Sequence, residues 1–219
     1  MVTYDEQMDL FKLISESISH DVECWALGGN AMMFYGYKDD TKDVDLLFAK
    51  EEDRSEFIKV IEELGFSETS PRNIYVPEKL RDKHKPLMYS RFLARFDLFV
   101  EKIFRTLLSP KMKEEVYAVH DFKGKHNLRV YVLRKEFIVL LKSVTERDKD
   151  FEDIITIARK EKRLDWQLLV DEAVWQHQHG DSWMLLDVEK TLKELRKYVF
   201  VEEKYVKQVY GAQKARPKL

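Results

Sequence analysis

The chain has 219 residues, with 38 Lys+Arg against 40 Asp+Glu, and is 44% hydrophobic and 12% aromatic. That apolar content supports a packed core and excludes global disorder. No run approaches the ~20 apolar residues of a membrane helix, so no membrane partner is expected. The single cysteine, Cys24, excludes an internal disulfide and a cysteine zinc cluster, and the start MVTYDEQMDLF has no signal-peptide pattern. A cytoplasmic setting is the expectation.

The near-zero net charge hides an asymmetry. Residues 1–63 carry sixteen acids and six bases, and the remainder is net basic, with five bases and no acid after Glu203. Such a division can hold cations in one place and phosphates in another; two solvated surfaces of unequal charge would look the same.

In chain order, Thr3 and Glu6 form a capping box before a helix whose apolar face is Met8, Phe11, Ile14 and Ile18. Cys24–Leu27 reads as a buried strand ended by Gly28-Gly29, followed by a short helix to Gly36. Val44–Phe48 is a second strand, Glu52–Leu64 a helix stopped by Gly65, and Asn73–Val76 a weaker strand. The polar stretch from Pro77 to Pro86 predicts a loop, Arg91–Val100 one strand, Glu114–His120 a short helix and Leu128–Leu133 a strand. Five helices are expected afterwards, over 136–146, 151–160, 166–176, 188–198 and 202–210, with Asp165 and Asp187 as N-caps. The pattern predicts an α/β (α+β) domain over 1–133 and a helical region over 134–219.

One stretch carries chemistry: Leu27-Gly28-Gly29-Asn30, then Thr41-Lys42-Asp43-Val44-Asp45-Leu46-Leu47. Asp43 and Asp45, at i and i+2 of a strand, share a face, while Val44 points to the other layer. Two like charges side by side are tolerated where a cation sits between them. Carboxylate oxygens, with only one or two protein groups plus phosphates and waters, are the usual shell of Mg²⁺, and Mn²⁺ takes similar ligands. Gly28 and Gly29 leave backbone N–H groups uncovered for phosphate. Asp97, in the apolar frame Ala94–Val100, is the expected third carboxylate. Three such acids can hold two ions about 3.5–4 Å apart, as in two-metal phosphoryl chemistry, and Asp97 can accept a proton from an attacking hydroxyl.

The run LGGNAMMFYGYKDDTKDVDLLF resembles the signature of the nucleotidyltransferase superfamily, a Gly-Gly turn followed by Asp-x-Asp on a strand. Within it the chain resembles the branch that includes the AbiEii-type toxins of toxin–antitoxin pairs. Lys142, then Arg147-Asp148-Lys149-Asp150 and Asp153-Ile154, are similar to that branch's second motif. The resemblance spans residues 27–154. It implies a mixed sheet flanked by helices, NTP as substrate and Mg²⁺ as cofactor. Asp43, Asp45 and Asp97 would be catalytic and metal-binding, with Gly28, Gly29, Asn30, Thr41, Lys38 and Lys142 around the nucleotide and its phosphates. Arg147, Lys149, Asp150 and Asp153 would support the cleft or the helix junction. The branch often has an arginine two residues before the threonine; here Asp39 stands there, and Lys38 is the substitute. The acceptor, an RNA end, a protein hydroxyl or a small molecule, is left open. So are two other readings, a non-catalytic nucleotide- or partner-binding module and an RNA-binding protein using basic stretches such as 72–91 and 121–135.

The remaining polar and aromatic residues read as structural. His177 and His179 fall on different sides of a helix. The tryptophans read as packing residues, Cys24 as a small core hydrophobe, and Ser15 and Ser17 lack a triad context.

Overall fold

A computed structural model describes residues 1–74, 77–145, 147–161 and 163–214. Two compact units emerge: residues 1–108 with 113–133, and residues 109–112 with 134–219.

The first unit is built on a mixed sheet. Its strands are β2 (Val22–Leu27), β4 (Val44–Phe48), β5 (Ser67–Glu68), β6 (Leu87–Arg91), β7 (Ala94–Val100), β10 (Val116–Lys123) and β11 (Asn127–Leu133), in the order β10-β11-β2-β4-β7-β6-β5. Short strands β8 (Lys102–Ile103) and β9 (Thr106–Leu107) extend it from β7. The pairs β11/β2 and β4/β7 are parallel and the others antiparallel. The central strands β2 and β4 are near-continuous apolar runs because both of their faces are covered. The edge strand β10 alternates half-buried and exposed residues.

Helices α1 (Tyr4–Ser17), α2 (Gly28–Phe34) and α3 (Glu51–Glu63) pack on this sheet. The capping box of α1 is present: Thr3 Oγ1 accepts from the Glu6 N–H at 3.3 Å, and Glu6 accepts from the Thr3 N–H at 2.8 Å. Phe57 of α3 meets Phe48 of β4 at 5.4 Å and Phe96 of β7 at 5.3 Å. By strand alternation, Asp45 and Asp97 therefore project from the face opposite α3. A two-stranded piece, β1 (Val2–Thr3) with β3 (Asp40–Thr41), pairs Val2 with Thr41 and ties the segment before β4 to the start of the chain.

In the second unit, α6 (Lys135–Ser143) contacts α7 (Asp148–Lys160), α8 (Trp166–His179) and α9 (Met184–Leu195). It is buried from Glu136 to Ser143, as a helix apolar around most of its circumference must be. Helix α10 (Glu203–Lys214) packs on α8 and α9. Asp165 caps α8, accepting from the Leu168 N–H at 2.9 Å. No helix among the described residues is long and apolar enough to cross a membrane.

Several elements differ from expectation. Arg91–Val100 is not one strand: Arg91 ends β6, Phe92 turns the chain at φ 52°, and β7 returns from Ala94. The hairpin places a phenylalanine where a left-handed residue is needed, so no Gly or Asn announced it. Glu114–His120 is not a helix: α5 (Pro110–Glu114) ends there, and β10 begins at Val116, held by pairing with β11. Pro71–Asn73 is a 3₁₀ turn in place of the start of the weak strand, whose Tyr75 and Val76 lie outside the described residues. The stretch expected as a loop opens with α4 (Pro77–Leu80). Asp187 sits inside the first turn of α9 and does not cap it. Glu146 and the tail bases Arg216 and Lys218 lie outside the described residues.

Candidate metal and phosphate site

Sheet register assembles the site. Asp45 on β4 pairs directly with Asp97 on the parallel strand β7, so their side chains stand about 4.8 Å apart on one face. Asp43, two residues before Asp45, joins them. One carboxylate oxygen from each of Asp43, Asp45 and Asp97 lies within 4.8 Å of the others. Asp97 is only 1% exposed, and Asp43 and Asp45 are half-buried.

The antiparallel register of β2 against β4 sets Leu27 opposite Asp45, and the next residue, Gly28, turns into α2 at φ +61°. A Cβ on Gly28 would stand 2.1 Å from Asp45 Oδ2, and one on Gly29 would stand 2.4 Å from Thr41 Oγ1. Gly28 is thus required by Asp45 on β4, and Gly29 by Thr41 on β3. Their bare backbone at the start of α2, whose first turn has no side-chain cap, is the feature the resemblance assigns to phosphate.

Thr41 and Asn30 act on the acids. Thr41 is buried, and its hydroxyl donates to Asp43 Oδ1 at 3.4 Å. Asn30 is fully buried, and its Oδ1 accepts from the Asp45 backbone N–H at 3.2 Å. Both were expected beside the nucleotide; their hydrogen bonds go to the strand that carries Asp43 and Asp45. Asn30 Nδ2 is a buried donor with no partner among the described residues. Lys38 is half-buried in the connection between α2 and β3.

The residue missed by sequence reasoning is Arg95. It lies two positions before Asp97 on the same face of β7. Its Nε donates to Asp97 Oδ1 at 2.7 Å, and its Nη2 bonds to Asp43 Oδ2. Burial works against the guanidinium charge, but Asp97 and Asp43 outweigh it and hold its pKa above the ordinary value. A side-chain cation thus stands between Asp43 and Asp97. Its signal was the Arg-x-Asp spacing in a strand; what the sequence lacked was the distance to Asp43.

The donor set fits a hard divalent cation. All three donors are carboxylate oxygens, the ligand type of Mg²⁺ and Mn²⁺, and one oxygen from each lies within 4.8 Å of the others. The Arg95 guanidinium pairs with two of the three carboxylates, Asp43 and Asp97.

Lys142 belongs to the helical unit. It is 8% exposed and donates to Asp150 Oδ1 at 2.8 Å and Asp153 Oδ2 at 2.7 Å. Thr145 Oγ1 and Arg147 Nε also donate to Asp150 Oδ2, at 2.7 and 2.5 Å. Two of the three ammonium donors that the resemblance assigns to phosphate are thus engaged by carboxylates. Burial alone would raise the Asp150 pKa, but the Lys142 charge and the hydrogen bonds lower it to about 2. Burial likewise opposes the Lys142 charge, and Asp150 and Asp153 outweigh it, so its pKa stands above the ordinary 10.5.

These shifts fix a pH window. A carboxylate with a depressed pKa adds stability above its ordinary value of 3.8 that is lost as pH falls through about 2. A lysine with a raised pKa adds stability below 10.5 that is lost as pH rises through the elevated value. The stability deficit of Asp150→Asn relative to the parent should be constant near neutrality and shrink between pH 4 and pH 2. Denaturant titrations across that range check it; a deficit independent of pH would mean that the Asp150 charge contributes nothing.

No protein-family model matches the chain, and neither does any curated protein.

Proposed function

We propose that the protein is a nucleotidyltransferase. It transfers a nucleoside monophosphate from an NTP to a hydroxyl acceptor in the cytoplasm. The acceptor oxygen bonds to the α-phosphorus, the α–β phosphoanhydride bond breaks, pyrophosphate leaves, and the hydroxyl proton passes to a carboxylate, Asp97 in this reading.

The observation that carries the proposal is the convergence of Asp43, Asp45 and Asp97 on one sheet face, their oxygens within 4.8 Å of one another, beside the Gly28–Gly29 turn. Asp43, Asp45 and Asp97 would hold Mg²⁺ or Mn²⁺. The ion, when bound, supplies charge neutralisation of the triphosphate and acidification of the attacking hydroxyl. The chain's own part is positioning, as in phosphoryl transfer generally. Thr41 and Asn30 fix Asp43 and Asp45, and the bare backbone at Gly28–Gly29 gives the triphosphate room to approach.

The test is transfer of label from α-³²P NTPs into a cell extract, with pyrophosphate release, comparing the parent with the Asp43→Asn/Asp45→Asn double variant. These substitutions keep side-chain shape and remove charge. Labelling should need Mg²⁺ or Mn²⁺ and fall by about a thousandfold or more in the variant. Equal labelling by both proteins, or labelling without metal, would overturn the proposal. Labelling by neither, with nucleotide binding retained, would favour a binding module on the same fold.

A further inference from the structure

Arg95 occupies the place where a metal ion would neutralise Asp43 and Asp97. Its guanidinium bridges two of the three carboxylates from opposite strands. Asp97 is 1% exposed, and an ionised carboxylate at such depth needs counter-charge, to which Arg95 contributes. A divalent cation and the guanidinium seek the same oxygens, and both positive charges cannot occupy them together without repulsion.

We propose that Arg95 is the resident counter-ion of the acidic cluster, displaced when metal loads, and that this exchange couples metal binding to triphosphate binding. The proposal rests on the reading of the cluster as a metal centre given above. In the metal-free protein Arg95 keeps three close carboxylates from forcing their strands apart. Metal alone must expel a bidentate guanidinium and leave it without its partners. Metal arriving with a triphosphate does not, because phosphate oxygens accept the same planar fork of N–H donors that the carboxylates gave up. The cluster is therefore a poor site for free metal and a good one for metal with nucleotide. Arg95 is a positioning residue here: it acts through the occupancy of Asp43 and Asp97.

The test is Mn²⁺ binding to metal-free protein, read from the electron paramagnetic resonance signal of free Mn²⁺, with and without α,β-methylene-ATP. Arg95→Met removes the charge and keeps an extended side chain. It should tighten binding of Mn²⁺ alone by about tenfold or more and shrink the further tightening that the nucleotide analogue brings. Arg95→Lys, which keeps a charge but lacks the planar fork of N–H donors and the length of the guanidinium, should fall between the parent and Arg95→Met. Thermal melts give a readout that does not depend on activity. Metal-free Arg95→Met should melt below the parent, and Mn²⁺ should raise its Tm by more than it raises the parent's. Unchanged or weaker Mn²⁺ binding by Arg95→Met, with parent binding abolished in Asp43→Asn/Asp45→Asn, would overturn the counter-ion role and leave the metal centre standing. Absence of Mn²⁺ binding from both the parent and Arg95→Met would remove the metal centre itself, and this inference with it.

Discussion

Lys142→Ala is expected to lower the melting temperature by roughly 10 °C, at ~2–4 °C per kcal/mol for a chain of this size and a loss of about 3–5 kcal/mol for breaking a buried ion pair. Lys142 on α6 holds Asp150 and Asp153 on α7, and all three are nearly buried. Removing the ammonium leaves two like charges facing each other at the helix junction, and Thr145 and Arg147 remain to serve Asp150. The effect should fade in acid, where protonation neutralises Asp150, whose depressed pKa rests on the Lys142 charge. The triple variant Lys142→Met/Asp150→Asn/Asp153→Asn, which removes all three charges, should recover most of the loss. Differential scanning fluorimetry from pH 3 to pH 8 on the parent, single and triple variants decides the matter. A lysine devoted to phosphate would give the opposite pattern, an unchanged Tm with weaker nucleotide binding.

Much of the α/β unit is legible in the sequence because its central strands are buried on both faces. Cys24–Leu27 and Val44–Phe48 are short apolar runs bounded by polar or glycine residues, and they fold as β2 and β4. Edge elements are another matter. In β10 one face is exposed, so Tyr117 and Val119 point outward, and the strand exists through its pairing with β11. Local propensity does not record that kind of support. The β6–β7 turn was hidden for a different reason: Phe92, 93% exposed, adopts a backbone conformation usually left to Gly or Asn.

The candidate site was legible where chemistry sits within one strand and illegible where it crosses strands. Spacing alone put Asp43 and Asp45 on one face. Asp97 was inferred from an acid in an apolar frame, and the β4/β7 register sets it beside Asp45. Arg95 obeys the same two-residue rule relative to Asp97, yet its bond to Asp43 spans 52 positions in the chain. The resemblance places Thr41 and Asn30 at the nucleotide, but a sequence cannot tell a ligand-facing amide from one whose oxygen is bonded to a strand's backbone.

If the proposed metal centre forms, Gly28→Ala should abolish Mn²⁺ binding as completely as loss of Asp45, although it removes no carboxylate. Two costs fall at Gly28. The first is backbone: at φ +61° any Cβ is disfavoured by about 1–2 kcal/mol. The second is steric: the added carbon would lie 2.1 Å from Asp45 Oδ2 and 3.0 Å from its Cγ, well inside contact distance. The aspartate side chain is short, and its backbone N–H is fixed by Asn30, so the carboxylate must rotate out of the cluster. Gly36 separates the two costs, because it has φ +68° with nothing within 4 Å of an added Cβ. Gly36→Ala should lose about 1–2 kcal/mol of stability from the backbone term alone and bind Mn²⁺ as the parent does. Gly28→Ala should lose at least as much stability and, in addition, its Mn²⁺ affinity. Urea titrations, with Mn²⁺ binding isotherms taken in the presence of α,β-methylene-ATP, read both quantities on the three proteins. Parent-like Mn²⁺ affinity in Gly28→Ala would mean that the Asp45 carboxylate is not held against the glycine turn, and the steric account of the Gly-Gly pair would fail.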